Sequence, residues 1–229
     1  MINYLEKSFK QNEKGLKYIL TAPTDYKKGE SLPLIVFLHG AGERGDDLEL
    51  VKTHGIPKYF SKNQDHLGIR AITLSPQCPS ERTWYDYKWE VISLIDEVAR
   101  EYNVSDDSIA LTGISMGGFG TWEIALQVPE KFSAIAPICG GGMEWRAWYL
   151  RNLPIRTFHG ALDDVVPFAH TEMMVNAIRA QGGNVEFTVY DDLGHCCWDR
   201  AYEQTDIISW LASARKNKRE SRREDNGNN

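Results

Sequence analysis

Apolar positions along the chain fall into short runs separated by polar and glycine-rich stretches. Leu34-Ile35-Val36-Phe37-Leu38 is apolar at every position. That is the pattern of a strand covered on both faces, as in a mostly parallel sheet. Ile69–Leu74, Ser108–Thr112, Ala134–Ile138 and Ile155–Phe158 are further runs of strand length, and Val185–Tyr190 alternates. Tyr4–Phe9 and Leu16–Ala22, joined by a polar turn at Asn12–Gly15, predict a pair of antiparallel edge strands. Helical spacing appears over Leu48–Phe60, with a break near Gly55 and Pro57. It is clearest over Tyr87–Tyr102, where Val91, Leu94, Ile95 and Val98 share one face and Glu90, Asp96, Glu97 and Arg100 fall mostly outside it. Gly117 to about Val128, Pro167–Ala180 and Asp199–Ala214 complete the expected helices. Strand and helix alternate, which predicts an α/β domain. Its mostly parallel sheet has about eight strands, with helices on both faces. The chain shows no repeat and no internal linker, so residues 1–214 are read as one domain. Residues 215–229 (RKNKRESRREDNGNN) mix charges without an apolar anchor and are expected to form a disordered, solvated tail.

Composition narrows the function. The 229 residues carry a formal net charge of −6, so the body offers no electrostatic footprint for nucleic acid. No apolar run reaches the roughly eighteen residues of a membrane span. The first residues, MINYLEKSFKQNEKG, are polar and lack the apolar core of a secretory signal, which gives the expectation of a cytoplasmic location. Of the four cysteines, Cys78, Cys139, Cys196 and Cys197, none stands in a C-x-x-C spacing. The expectation is reduced thiols and no zinc site.

The chemistry gathers around Gly113-Ile114-Ser115-Met116-Gly117, a G-x-S-x-G match. An apolar run precedes it and a helical segment follows. Strand, sharp turn and helix is the context in which this motif exposes a serine hydroxyl beside a helix N-terminus. Ser115 is therefore the candidate nucleophile. It needs a base. Of six histidines, His195 lies in a loop after a predicted strand, framed as Leu193-Gly194-His195. The acid is expected between serine and histidine in the chain. Asp163 and Asp164 both lie beyond the strand Ile155–Phe158, and spacing does not choose between them. The oxyanion hole should use the N–H of Met116 and a second N–H, from Gly40 or Ala41, in the glycine-rich loop His39–Gly45. His39 and His159 read as structural, and His54, His66 and His170 as surface groups. No metal site is expected from His159, Asp163 and His170, which lack ligand spacing.

The segments LHGAGERG (38–45), SPQCP (75–79), LTGISMGGFGTW (111–122), FHGALDDVVP (158–167) and VYDDLGHCCWD (189–199) together resemble the compact α/β-hydrolases of carboxylesterase, phospholipase and predicted-peptidase type, feruloyl esterases among them. The resemblance covers about residues 30–211. It implies an α/β-hydrolase fold without a large lid domain. It makes Asp163, the first aspartate of the HGxxDxxVP pattern, the acid, and it favours Ala41 over Gly40 as the second donor. Cys196-Cys197 departs from the small polar residues that relatives often carry there. The implied activity is hydrolysis of short-chain, aryl or carbohydrate esters by a Ser-His-Asp triad, with a small-molecule ester as the partner and no cofactor. A serine peptidase or lysophospholipase/thioesterase is the alternative, and a non-catalytic binding module the reading from another class. Trp84, Trp145, Trp148 and Trp198 are candidate pocket walls, Trp198 first among them. Glu43 and Arg44 are read either as binders of substrate polar groups or as a mutual salt bridge.

Overall fold

A computed structural model describes residues 2–11, 14–61 and 69–216. His66 and residues 217–229 of the tail lie outside the described residues. Eight strands form one sheet: β1 (Ile2–Gln11), β2 (Lys14–Pro23), β3 (Leu34–Leu38), β4 (Ile72–Gln77), β5 (Ile109–Ile114), β6 (Ala134–Ile138), β7 (Ile155–Gly160) and β8 (Val185–Tyr190). Their order is β1-β2-β4-β3-β5-β6-β7-β8. β1 pairs antiparallel with β2, and β2 antiparallel with β4; every other pairing is parallel. The parallel strands therefore all point their carboxyl ends at one edge of the sheet.

Among the described residues six α-helices cover the sheet: α1 (Gly55–Ser61), α2 (Lys88–Glu101), α3 (Met116–Gln127), α4 (Ala169–Ala180), α5 (Trp198–Gln204) and α6 (Ile207–Ser213). The two faces follow from strand periodicity. Leu34, Val36, Leu38, Ile109 and Leu111 point into a core shared with Val91, Leu94 and Ile95 of α2, Ile124 of α3 and Met174 of α4. Ile35, Phe37, Ala110 and Ile114 point into the opposite core, with Ile56 of α1, Ala201 of α5 and Ile208 of α6. β5 lies between β3 and β6, buried on both faces, and this fixes the position of the turn that follows it.

Several elements differ from the pattern-based expectation. β2 is an interior strand, because its outer side pairs with β4. β4 begins three residues later than Ile69 and runs through Ser75-Pro76-Gln77, a sequence of turn-like residues. Helix over Leu48–Phe60 becomes a 3₁₀ turn at Leu50–Thr53 followed by α1. Pro57 falls in the first turn of α1, where a missing N–H costs nothing. The last helix is two. Thr205 Oγ1 donates to Ala201 O at 2.6 Å and accepts from Ile207 N–H at 3.2 Å, ending α5 and starting α6. Glu90 is buried rather than outside α2, with Lys14 Nζ 3.6 Å away.

Candidate active site

β5 ends at Ile114, and Ser115 adopts φ 53° and ψ −118°, a left-handed geometry that costs a non-glycine residue strain of order 1–3 kcal/mol. The surrounding packing holds it there. Ser115 N–H donates to Ile138 O at 3.0 Å, and Ser115 O accepts from Phe119 N–H at 3.0 Å. The start of α3 presses directly on the ends of β3 and β6. A Cβ on Gly117 would lie 1.9 Å from Leu38 O, far inside any real contact, so only glycine allows this approach. Met116 opens α3, where the first-turn N–H groups have no intrahelical acceptor. Ala41 likewise opens the 3₁₀ turn Ala41–Glu43 after β3. Both expected oxyanion donors thus sit at the amino ends of helical turns beside Ser115.

The loops after β7 and β8 bring the other two groups. His195 Nε2 lies 2.8 Å from Ser115 Oγ, and His195 Nδ1 lies 2.8 Å from Asp163 Oδ2. With a carboxylate at Nδ1, that nitrogen carries the ring hydrogen and Nε2 faces the serine hydroxyl as an acceptor. Asp163 Oδ1 accepts the N–H groups of Val165 (3.0 Å) and Val166 (2.9 Å). Burial by itself raises the Asp163 pKa, but the hydrogen bonds from His195, Val166 and Val165 outweigh it and hold the carboxyl below its ordinary value. Asp164 is exposed. The two loops lie against each other because Gly160 leaves room: a Cβ there would fall 2.3 Å from Leu193 O.

Two further histidines shape the site, and pattern reading misses what both do. His159 is fully buried, as a structural residue should be. Its Nε2 lies 3.0 Å from both Val166 O and Asp163 Oδ2, and its Nδ1 lies 2.7 Å from Thr171 Oγ1, whose own hydrogen goes to Gly140 O. Asp163 Oδ2 is thus held between His195 and His159. His54 is not a detached surface group: its Nδ1 accepts from Trp198 Nε1–H at 3.3 Å. The only sequence signal for His159 was its place four residues before Asp163 in HGALD. His54 had none.

His39 does brace the oxyanion loop. Cys78 N–H donates to its Nε2 at 2.9 Å, and its Nδ1–H donates to Gly40 O at 2.6 Å. Burial lowers its pKa to about 4, so the ring is neutral.

The tryptophans divide. Trp84 is completely buried, its Nε1–H donating to His39 O at 3.0 Å and its ring against His39. It supports the oxyanion loop from inside the core and lines no open pocket, which corrects its assignment as a wall. Trp145 is 70% exposed on the 3₁₀ helix Glu144–Leu150 between β6 and β7, and Trp148 of the same turn is exposed too. Trp198 sets its ring edge-on to His195, with centroids 5.3 Å apart. It packs against the His195 ring. Cys197 is buried, as is Cys139, whose thiol is pushed well above its ordinary pKa by burial and by Cys197 beside it. Cys196, next to His195, is exposed. Arg44 donates to Ala41 O (2.8 Å) and Arg82 O (3.4 Å) instead of pairing with Glu43.

A serine on a strained strand-to-helix turn, with an aspartate and a histidine brought to it by later loops at the same sheet edge, is the arrangement of an α/β-hydrolase. The chain belongs to the phospholipase/carboxylesterase family, whose profile matches residues 74–212. A thermostable esterase of known structure is 31% identical, with a TM-score of 0.84 over 93% of this chain and 63% of its own. A feruloyl esterase module from Clostridium thermocellum shares the fold at 14% identity, with a TM-score of 0.71 over 92% of this chain and 86% of its own. A bifunctional acetylxylan esterase/xylanase of Neocallimastix patriciarum is 33% identical over 96 residues, 42% of this chain and 14% of that protein. The chain thus spans under two thirds of the esterase and about a seventh of the fungal enzyme. None of its described helices is long and apolar enough to cross a membrane.

Proposed function

We propose that the protein is a serine esterase acting on short-chain, aryl or carbohydrate esters. The observation that carries this reading is the unbroken line Ser115 Oγ–His195 Nε2, His195 Nδ1–Asp163 Oδ2, with both links at 2.8 Å. Ser115 Oγ attacks the ester carbonyl while its proton passes to His195 Nε2. Asp163 fixes the tautomer and stabilises the imidazolium that forms. The N–H groups of Met116 and Ala41 receive the developing oxyanion, and each such donor is typically worth about 3 kcal/mol of barrier. His195 then returns its proton to the leaving alcohol, and the acyl-enzyme is cleared by a water that His195 deprotonates.

Kinship to an esterase at 31% identity and the family match support ester chemistry over amide chemistry. The β6–β7 connection, which carries only a 3₁₀ helix over the site edge, suits small esters better than lipids needing a lid. Ser115→Ala should reduce hydrolysis of p-nitrophenyl acetate by about 10⁴-fold or more. It should also abolish labelling by a fluorophosphonate probe. Retained turnover with a folded Ser115→Ala protein would sink the proposal.

A further inference from the structure

We infer that Glu43 and His54 form a subsite beside Ser115 that binds a free hydroxyl of the substrate, so that the favoured esters carry a hydroxyl close to the scissile bond. The inference rests on the esterase reading above and adds the group that the site selects.

Glu43 ends the oxyanion turn and is 9% exposed. Its Oε2 is buried and has no hydrogen-bond partner among the described residues. An unpartnered buried carboxylate oxygen is costly, and native structures seldom tolerate one without a use. It lies near the nucleophile: a Cβ on Gly40 would lie 3.2 Å from Glu43 Oε2 and 3.6 Å from Ser115 Cβ. The missing methyl of Gly40 therefore separates the carboxylate from the serine, and any larger residue would fill that gap.

The neighbouring rings leave the carboxylate unsatisfied. His39 Nδ1 is 3.8 Å away, but its hydrogen goes to Gly40 O. His54 Nε2 lies 3.9 Å from Glu43 Oε1. Because His54 Nδ1 accepts from Trp198, the ring hydrogen sits on Nε2, 3.9 Å from a carboxylate oxygen and too far to bond it. Glu43 Oε1 and His54 Nε2 are thus too far apart for a direct bond, and an oxygen set to one side of the line joining them comes within hydrogen-bond distance of both.

A hydroxyl satisfies both: it donates to Glu43 and accepts from His54 Nε2–H. An ammonium has three donors and no acceptor, so it would leave the His54 hydrogen unmatched. An ether oxygen would accept from His54 and leave Glu43 bare. A bare carboxylate this close to the oxyanion also opposes the charge that develops in the transition state, and a donated hydroxyl hydrogen relieves that opposition. The position points to a hydroxyl on a carbon neighbouring the esterified one, as in the monoester of a vicinal diol.

The test compares kcat/KM for 2-hydroxyethyl acetate with that for its near-isosteres propyl acetate and 2-methoxyethyl acetate, in wild type and in Glu43→Leu. Wild type should favour the hydroxyethyl ester over both by about tenfold or more, since a site built to bond a hydroxyl rejects analogues lacking it. In Glu43→Leu the ratio should fall to within threefold of one. A variant that merely folded poorly would lose activity on all three esters and keep the ratio. Wild type treating the three alike overturns the subsite, and so does a ratio unchanged in Glu43→Leu. The wild-type series stands alone if the variant fails to fold. Absence of fluorophosphonate labelling and of any ester turnover by wild type would instead overturn the esterase reading, and the subsite with it.

Discussion

The elbow after β5 and the loops after β7 and β8 meet at the same oxygen, yet they are held in place differently. The elbow is built from backbone. Gly117 lies against Leu38 O, and Gly113 and Gly118 lie as tightly against Gly117 O and Ile138 O, leaving no space for a single added carbon. Its strained serine is locked by main-chain hydrogen bonds to two elements. Asp163 and His195 are held largely through side-chain contacts: Asp163 accepts at one oxygen from the backbone N–H groups of Val165 and Val166 and meets the rings of His195 and His159 at the other. Change on the first side should therefore read out as lost fold, and change on the second as lost rate in a folded protein.

The sharpest test of the second side is Asp163→Asn. By misplacing the His195 hydrogen it should lower kcat by about 10³–10⁴-fold, with folded yield and far-UV spectrum near wild type. A comparable loss of folded protein would erase the contrast. On the first side, Gly117→Ala must displace either α3 or the end of β3. It should cost about 4 kcal/mol or more and lower Tm by roughly 10 °C or beyond. A Tm within 2–3 °C of wild type, roughly the shift of 1 kcal/mol at this chain length, would show that the elbow has slack.

Acid should weaken the serine side through His39. Its folded pKa lies at about 4, beneath the ordinary 6.5, because it is buried. The unfolded chain therefore takes up a proton that the folded chain refuses. Stability should fall as pH drops from about 6.5 towards 4, by on the order of 3 kcal/mol from this group. Burial also lowers the pKa of His159, which adds in the same direction. Asp163, whose folded pKa is depressed, contributes stability that is lost only at lower pH, from its ordinary carboxylate range downward. Denaturant midpoints measured from pH 7 to 4 check this, and a flat profile would contradict it.

The smallest expected effect tests whether His159 positions Asp163. His159→Asn should reduce kcat by about 10-fold with KM little changed, and should move the acid limb of the rate profile, because the ring nitrogen 3.0 Å from Asp163 Oδ2 is lost. A purely structural histidine would change stability and leave that limb where it is.

The strands and most helices were legible in the sequence because burial on both faces writes itself as continuous apolar runs. β4 was misplaced because Ser75-Pro76-Gln77 reads as a loop; the register Tyr18↔Pro76 against β2 is a long-range fact that no local pattern carries. That Ser115 and His195 would meet was legible from motif and chain order, whereas the preference for Asp163 over Asp164 as their neighbour came from family likeness. The geometry now on view explains it: Asp163 is tied down by Val165 and Val166 N–H groups, and Asp164 faces solvent. The tryptophans were not legible at all. Side-chain type says only that a large ring must pack somewhere, and Trp84 packs inward, Trp198 against the base and Trp145 outward. His54 and Glu43 lie on opposite sides of a turn, so their meeting depends on the tertiary fold alone.

Among the four thiols only Cys196 is exposed, and it adjoins His195 in the chain. A maleimide dye would therefore attach at one natural position, with no engineered cysteine and no need to remove the other three. Such a fluorophore would stand one residue from the proposed base. The molecule thus carries its own attachment point for a reporter with which the proposed acylation and deacylation steps can be sought separately in a stopped-flow trace.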